Sequence, residues 1–152
     1  MSEPSGRVLA LDLGEVRIGI ALSDLLGVTA QPVGNIEREG KRRNLAAIRD
    51  LIEEHEVRRI VIGNPLLLSG DAGTATEQAE AFAAQLRDRF PEIPVELWDE
   101  RLTTVEAERA MIGGGVRRGK RRKVIDALAA TLILQSYLDS QAVDLDGPLP
   151  FS

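Results

Sequence analysis

The chain has 152 residues, 43% of them hydrophobic and 28% charged, a formal net charge of −5 and no cysteine. These values describe one ordinary globular domain with a real core, and they exclude a disordered chain, disulfides, thiolate nucleophiles and cysteine-based zinc sites. No apolar run reaches the roughly 18 residues that a spanning helix needs, and the opening MSEPSGR has no signal-peptide pattern, so a cytoplasmic protein without membrane contact is expected.

RVLALDL (7–13) reads as a buried central strand. After the turn GEVR, RIGIALSD (17–24) is the next strand, with Gly19 where something approaches the backbone closely. Leu26-Gly27 turns again, and VTAQPVGNIE (28–37) makes a third strand. Connections this short join only antiparallel neighbours, which predicts a meander. The rhythm then changes. KRRNLAAIRDLIEEHE (41–56) carries Leu45, Ile48, Leu51 and Ile52 at helical spacing, and VRRIVIGNP (57–65) is a β-branched strand stopped by Asn64-Pro65. A loop leads to the helix 74–90, where Thr74 and Glu77 have the spacing of a capping box. VELWDE (95–100) is a strand and TTVEAERAMI (103–112) a helix. GGGVRRGKRR (113–122) reads as a glycine-rich basic loop, KVIDALAATLILQSYLD (123–139) as the last helix, and 140–152 as a loose tail. The order βββαβαβαα predicts an α/β domain spanning 1–152, with a mixed sheet of five strands flanked by helices over about 7–139.

The single histidine, His55, lies in the polar stretch EEHEVRR and suits a helix end or surface better than a Ser-His-Asp triad. An enzyme built from this chain works with carboxylates, hydroxyls, Lys and Arg, or a hard metal. Three carboxylates occupy special places. Asp12 sits near the end of the first strand, in a residue class depleted inside strands; alone it would be a turn cap before Gly14. Glu100 ends the strand VELWDE and shares a face with Trp98, while Leu97 and Asp99 share the other; alone it would be a solvated strand end. Asp126 opens a helix that is apolar nearly all round; alone it would stabilise the helix dipole from the first turn, or pair with Arg122 or Lys123. Taken together, three carboxylates repel unless a divalent cation joins them, and oxygen ligands suit Mg²⁺ or Mn²⁺. Such ions support attack of water on phosphorus without histidine or cysteine. The basic run Arg117, Arg118, Lys120, Arg121, Arg122 and Lys123, beside the third carboxylate on an acidic protein, suits a nucleic-acid backbone. With aromatic residues at 3%, a base-stacking platform is not the expectation.

LALDLGEVRIGIALSD, GNPLLLSGDAG, DERLTTVEAE and KVIDALAATLILQSYLD resemble, in order, the blocks of the bacterial YqgF/RuvX family over about residues 7–139. That family is described as Holliday-junction-resolvase-like, and also as nucleases maturing the 5′ end of pre-16S rRNA. The resemblance implies an RNase H-like fold. It also implies a hydrolase of phosphodiester bonds whose metal-binding catalytic carboxylates are Asp12, Glu100 and Asp126. Arg17, Arg101, Thr104 and Lys123 become substrate contacts by the same resemblance, RNA the favoured substrate and branched DNA the alternative. One block departs: the family reads Gly-Leu-Pro where this chain has Gly63-Asn64-Pro65, followed by Ser69-Gly70. No metal ligand is lost there.

Two other readings use the same residues. LDLGEVRIGIALSD also resembles the first phosphate loop of the actin and sugar-kinase superfamily, which needs a second lobe that 152 residues do not supply. A non-catalytic nucleic-acid-binding module would keep the carboxylates for folding or metal binding. A homodimer, docked for example through 103–112, is what a resolvase cutting both strands of a junction requires.

Overall fold

A computed structural model describes residues 6–65, 73–100 and 118–146, with side chains for 127–141 in the last stretch. The expected helix 103–112 and the loop residues Ser69 and Gly70 lie outside the described residues. Five strands form one sheet: β1 (Arg7–Leu13), β2 (Arg17–Ser23), β3 (Ala30–Glu37), β4 (Val57–Asn64) and β5 (Val95–Asp99). Their spatial order is β3-β2-β1-β4-β5. β2 runs antiparallel to β1 and β3, and β4 runs parallel to both β1 and β5. The carboxyl ends of β1, β3, β4 and β5 therefore gather on one edge of the molecule, and the meander and mixed sheet are as the sequence predicts.

The period of two along the strands sorts side chains into two cores. Leu9, Leu11, Ile18, Ile20, Ile60 and Ile62 point to the side covered by α1 (Lys41–His55) and α2 (Thr74–Arg89), meeting Ile48, Phe82 and Leu86. Ala10, Ala21 and Val61 point the other way, where small side chains let α3 (Arg118–Asp146) lie close through Ala129, Ala130, Ile133, Leu134 and Tyr137. Each fully buried Leu or Ile contributes about 1.5–3 kcal/mol of transfer free energy. The turn from β2 to β3 is held by Asp24, whose Oδ1 accepts from the Val28 N–H at 2.7 Å. That bond, the largest influence on the group, keeps its carboxyl below the usual range. At Gly27, φ is +73°, the left-handed turn geometry that glycine adopts at no steric cost.

The outer strand β3 is irregular. Ile20 pairs with Gly34 but Ala21 with Pro32, so Val33 is an extra residue in the ladder. Pro32 and Val33 are both exposed.

Two local expectations are corrected. Thr74 does not cap α2: the N-cap is Gly73, without a side-chain cap, and the Glu77 N–H bonds the Gly73 carbonyl at 3.0 Å. The helix starts one residue before the expected box, so Thr74 already lies within its first turn. The basic segment is not all loop either. α3 begins at Arg118 and continues to Asp146, taking in Arg118, Lys120, Arg121, Arg122 and Lys123 at one end and 140–146 at the other. Arg and Lys are good helix formers, and one Gly119 costs about 1 kcal/mol, too little to stop a helix anchored by its buried half.

Candidate metal and nucleic-acid site

β1 and β5 each bring a carboxylate to the carboxyl edge of the sheet. Asp12 is only 3% exposed. It follows Ala10 by two positions on β1, which places it on the α3 side, and it pairs across the ladder with Gly19 of β2. Gly19 on that face leaves β2 without a side chain beside the carboxylate, the close approach that a glycine inside a strand signals. Glu100 comes directly after β5, in line with Trp98, so it too belongs to the α3 side. The sequence left open which face Glu100 takes, and this packing puts it on the α3 side.

Between these two strands lies β4, and there the chain has Gly63. A Cβ built on Gly63 would stand 2.5 Å from Ile133 Cδ1 and 2.8 Å from Glu100 Oε2. Only a bare backbone fits between α3 and the Glu100 carboxylate. Gly63 was not singled out from the sequence, although a glycine in the β-branched run VRRIVIGN carried the signal.

Asp126 is the ninth residue of α3. Its side chain lies outside the described residues; its position does not. It precedes Ala129, Ala130 and Ile133 by three, four and seven residues, the spacing of one helix face. Ile133 meets Gly63 near the end of β4, while Tyr137 reaches Glu96 near the start of β5. α3 therefore runs opposite to β4 and β5, and position 126 lies about 10 Å beyond Ile133 toward the carboxyl edge. The first-turn dipole reading of Asp126 loses its basis, because the dipole effect fades within the first turn and two turns of helix precede this residue.

The strand carrying Glu100 and the helix carrying Asp126 are locked together lower down. The Tyr137 hydroxyl donates to Glu96 Oε2 at 2.7 Å, and Arg59 Nη1 donates to the same oxygen at 2.6 Å. Trp98 meets the Tyr137 ring edge-on at 5.4 Å, and its Nε1 donates to Ser136 Oγ at 3.2 Å. Burial, reinforced by the bond to Glu96, pushes the Tyr137 phenol well above the usual tyrosine range, with Arg59 opposing.

Of the other expected residues, Arg17 heads β2 on the same face as Gly19 and Asp12. Its Nε donates to Glu37 Oε2 at 3.1 Å, which holds the guanidinium at the carboxyl edge. Arg101, Thr104 and Arg117 lie outside the described residues, as do the side chains of Arg118, Lys120, Arg121, Arg122 and Lys123, whose backbone forms the first turns of α3. His55 ends α1, as expected for a structural histidine. Among the described residues no three His, Cys, Asp or Glu side chains form a metal-holding group, Asp126 not being among those side chains. The donor set is nonetheless that of a hard cation, since carboxylate oxygens at this edge suit Mg²⁺ or Mn²⁺ and the cradle over Gly63 gives Glu100 room.

A family profile described as "RuvX: Holliday junction resolvase" matches residues 6–140. The chain belongs to the RuvX family. Among its relatives, a Koribacter versatilis protein is 48% identical over 152 residues, covering 98% of this chain and 99% of its own length. A Geobacillus kaustophilus protein is 50% identical over 137 residues, covering 89% and 99%. Both are provisionally named pre-16S rRNA nuclease. The solved structures similar to this RuvX-family chain include Thermus thermophilus RuvC in complex with a Holliday junction substrate, with TM-score 0.56, 14% identity and coverage of 90% of this chain and 96% of that one. The yeast mitochondrial Holliday junction resolvase gives TM-score 0.55 at 14% identity, covering 93% and 81%. The fold of this RuvX chain is thus the RNase H-like fold of the RuvC-type resolvases.

Proposed function

We propose that this chain is a divalent-metal-dependent nuclease that matures the 5′ end of pre-16S rRNA, with Asp12, Glu100 and Asp126 as its catalytic carboxylates. It is a hydrolase of phosphodiester bonds, in keeping with its family and with the names its relatives carry. The observation that carries the reading is the convergence of Asp12, Glu100 and position 126 on one edge and one face of the sheet, with Gly63 making room for Glu100. Asp12, Glu100 and Asp126 would hold Mg²⁺ or Mn²⁺, which when bound lowers the pKa of water and neutralises charge developing on phosphorus. Buried Asp12 is fixed by its strand and gives the site a rigid floor. Glu100 closes the site from β5, and the Trp98–Tyr137–Glu96 cluster keeps β5 in register with α3. Arg17 and the cationic first turns of α3 would bind the phosphates flanking the scissile bond. No helix among the described residues is long and apolar enough to cross a membrane; work on rRNA sets the protein in the cytoplasm.

The description of the family profile favours one second reading, cleavage of branched DNA, for which cutting both strands of a junction would require a homodimer. One experiment separates the two. A precursor rRNA 5′ leader, a generic single-stranded RNA and a four-way DNA junction are incubated with Mn²⁺ or Mg²⁺, using wild type and Asp126→Asn. Metal-dependent cutting of the leader, lost in Asp126→Asn with the fold intact, supports rRNA maturation, and preference for the junction supports the second reading. Absence of cutting by the wild type, or equal cutting by the variant, overturns both in favour of a non-catalytic binding module.

A further inference from the structure

The extra residue in β3 decides which way Asn35 points. Ala30 packs into the core under α3, whereas Ile36 packs into the core on the other side of the sheet. Residues six apart on a regular strand share a face. Ala30 and Ile36 do not, because the bulge at Val33 reverses the alternation between them. Asn35 is thereby carried to the α3 side, where it pairs with Gly19, itself the partner of Asp12. Its Oδ1 is buried, although β3 is the outermost strand. Asp12, Gly19 and Asn35 thus form one row across β1, β2 and β3. The outer two of these strands stand about 9.5 Å apart, and the bare backbone of Gly19 between them leaves room for a side chain from the layer above.

That layer is α3, which packs chiefly on β2 and β3. Its level along the sheet is fixed by Gln135. The Oε1 of Gln135 accepts from the Ala30 N–H at 3.0 Å, and its Nε2 donates to the Val28 carbonyl at 2.9 Å. Asn35 lies beyond Ala30 by five residues, one of them the bulge, which is about 13 Å along the strand. α3 runs the opposite way, and about 13 Å of helix is about nine residues. Counted back from Gln135, that is position 126. Its helix face is that of Ala130 and Ile133, which meet the sheet. Position 126 is therefore level with the row and lies above Gly19, with Asp12 on one side and Asn35 on the other.

We propose that Asn35 is a positioning residue of the carboxylate site: its amide donates to the Asp126 carboxylate and holds it over Gly19, facing Asp12. This role rests on the metal-dependent nuclease reading and adds a residue of β3 to that site. An amide suits the place. It adds no charge to three carboxylates that repel one another, and unlike a lysine it does not stand in for the cation. A carboxylate oriented by such a bond keeps its other oxygen for the ion, and losing an outer partner of this kind costs about ten- to a hundredfold in metal affinity.

The test is the Mn²⁺ affinity of the full chain without substrate, read from the EPR signal of the free ion, beside thermal melts of metal-free protein. Asn35→Ala and Asn35→Leu are both expected to weaken Mn²⁺ binding by about tenfold or more. Leucine has the branched shape of asparagine without its polar atoms, so it restores packing but not the ion. Asn35→Thr, which suits a strand and keeps an O–H donor, is expected to recover most of the affinity. In metal-free protein the Tm changes of Asn35→Ala and Asp126→Ala are expected not to add, because each removes the same bond. Asp12→Asn is the control and is expected to lose the ion. If it does, and Asn35→Leu binds Mn²⁺ as tightly as the wild type or the two Tm changes simply add, the role of Asn35 is overturned and the metal site stands. If Asp12→Asn binds as tightly as the wild type, the metal site itself is overturned, and the role of Asn35 with it.

Discussion

The Glu100 carboxylate lies over the bare backbone of Gly63: an added Cβ would come within 2.8 Å of Glu100 Oε2. A contact under 3 Å forces something to move. The carboxylate is the softer neighbour, since Ile133 on the other flank is fully buried in the core of α3.

Gly63→Ala is therefore expected to displace Glu100 and reduce metal-dependent cleavage by about a hundredfold, the scale on which a misplacement of about 1 Å acts. Adding Ile133→Val removes the Cδ1 that a new methyl would meet and is expected to recover stability without recovering the rate. Cleavage assays beside thermal melts of the single and double variants check this, and full activity in Gly63→Ala would refute the role given to Glu100.

Asp12→Asn is expected to abolish cleavage and also the stabilisation that metal confers. Binding at ten times the Kd raises folding stability by about 1.4 kcal/mol, which for a chain of this size is about 3 °C in Tm. Melts of wild type and variant in rising Mn²⁺ provide the measurement, independent of any substrate. An equal rise in both would remove Asp12 from the metal site.

Tyr137 is the only tyrosine in the chain, so its ionisation is visible by absorbance without interference. Burial and donation to Glu96 raise its pKa above the unfolded value of about 10. Its contribution to stability is therefore complete below about pH 10 and is lost as the pH rises beyond that. Native protein is expected to form tyrosinate at higher pH than protein in urea. Tyr137→Phe is expected to cost about 1 kcal/mol at neutral pH and to flatten the alkaline fall in Tm. Coincident titrations with and without urea would contradict the Tyr137–Glu96 bond.

Asn64 Oδ1 is buried with no hydrogen-bond partner. An unsatisfied buried acceptor costs about 1–3 kcal/mol. Asn64→Leu, the residue the family pattern has there, is expected to raise Tm by about 2–4 °C for each kcal/mol recovered. Calorimetry of the pair decides it; a lower Tm would mean that the acceptor has a role in the folded protein.

Much of this architecture could be read in advance where local chemistry and tertiary demand agree. β1 to β5 follow apolar runs broken by turn residues, and Asp12 betrays itself as an acid inside such a run. Glu100 could be paired with Trp98 from alternation alone, but the face holding both is set by α3, which is remote in sequence. The start of α3 escaped because Gly113 to Gly115 and Gly119 suggest a loop, whereas burial of Ala129 to Leu138 propagates the helix back across Gly119. Gly63 escaped for a related reason: its meaning lies in a side chain 37 positions away.

The kink in β3 has a consequence for how this protein behaves at high concentration. An outermost strand is a template on which another chain can add, and flat, regular edges seed fibres. Here Pro32 has no N–H to offer, and the extra residue at Val33 throws the outer row of donors and acceptors out of step. A newcomer meets a broken ladder, and growth of the sheet past β3 into an aggregate is blocked at its first step.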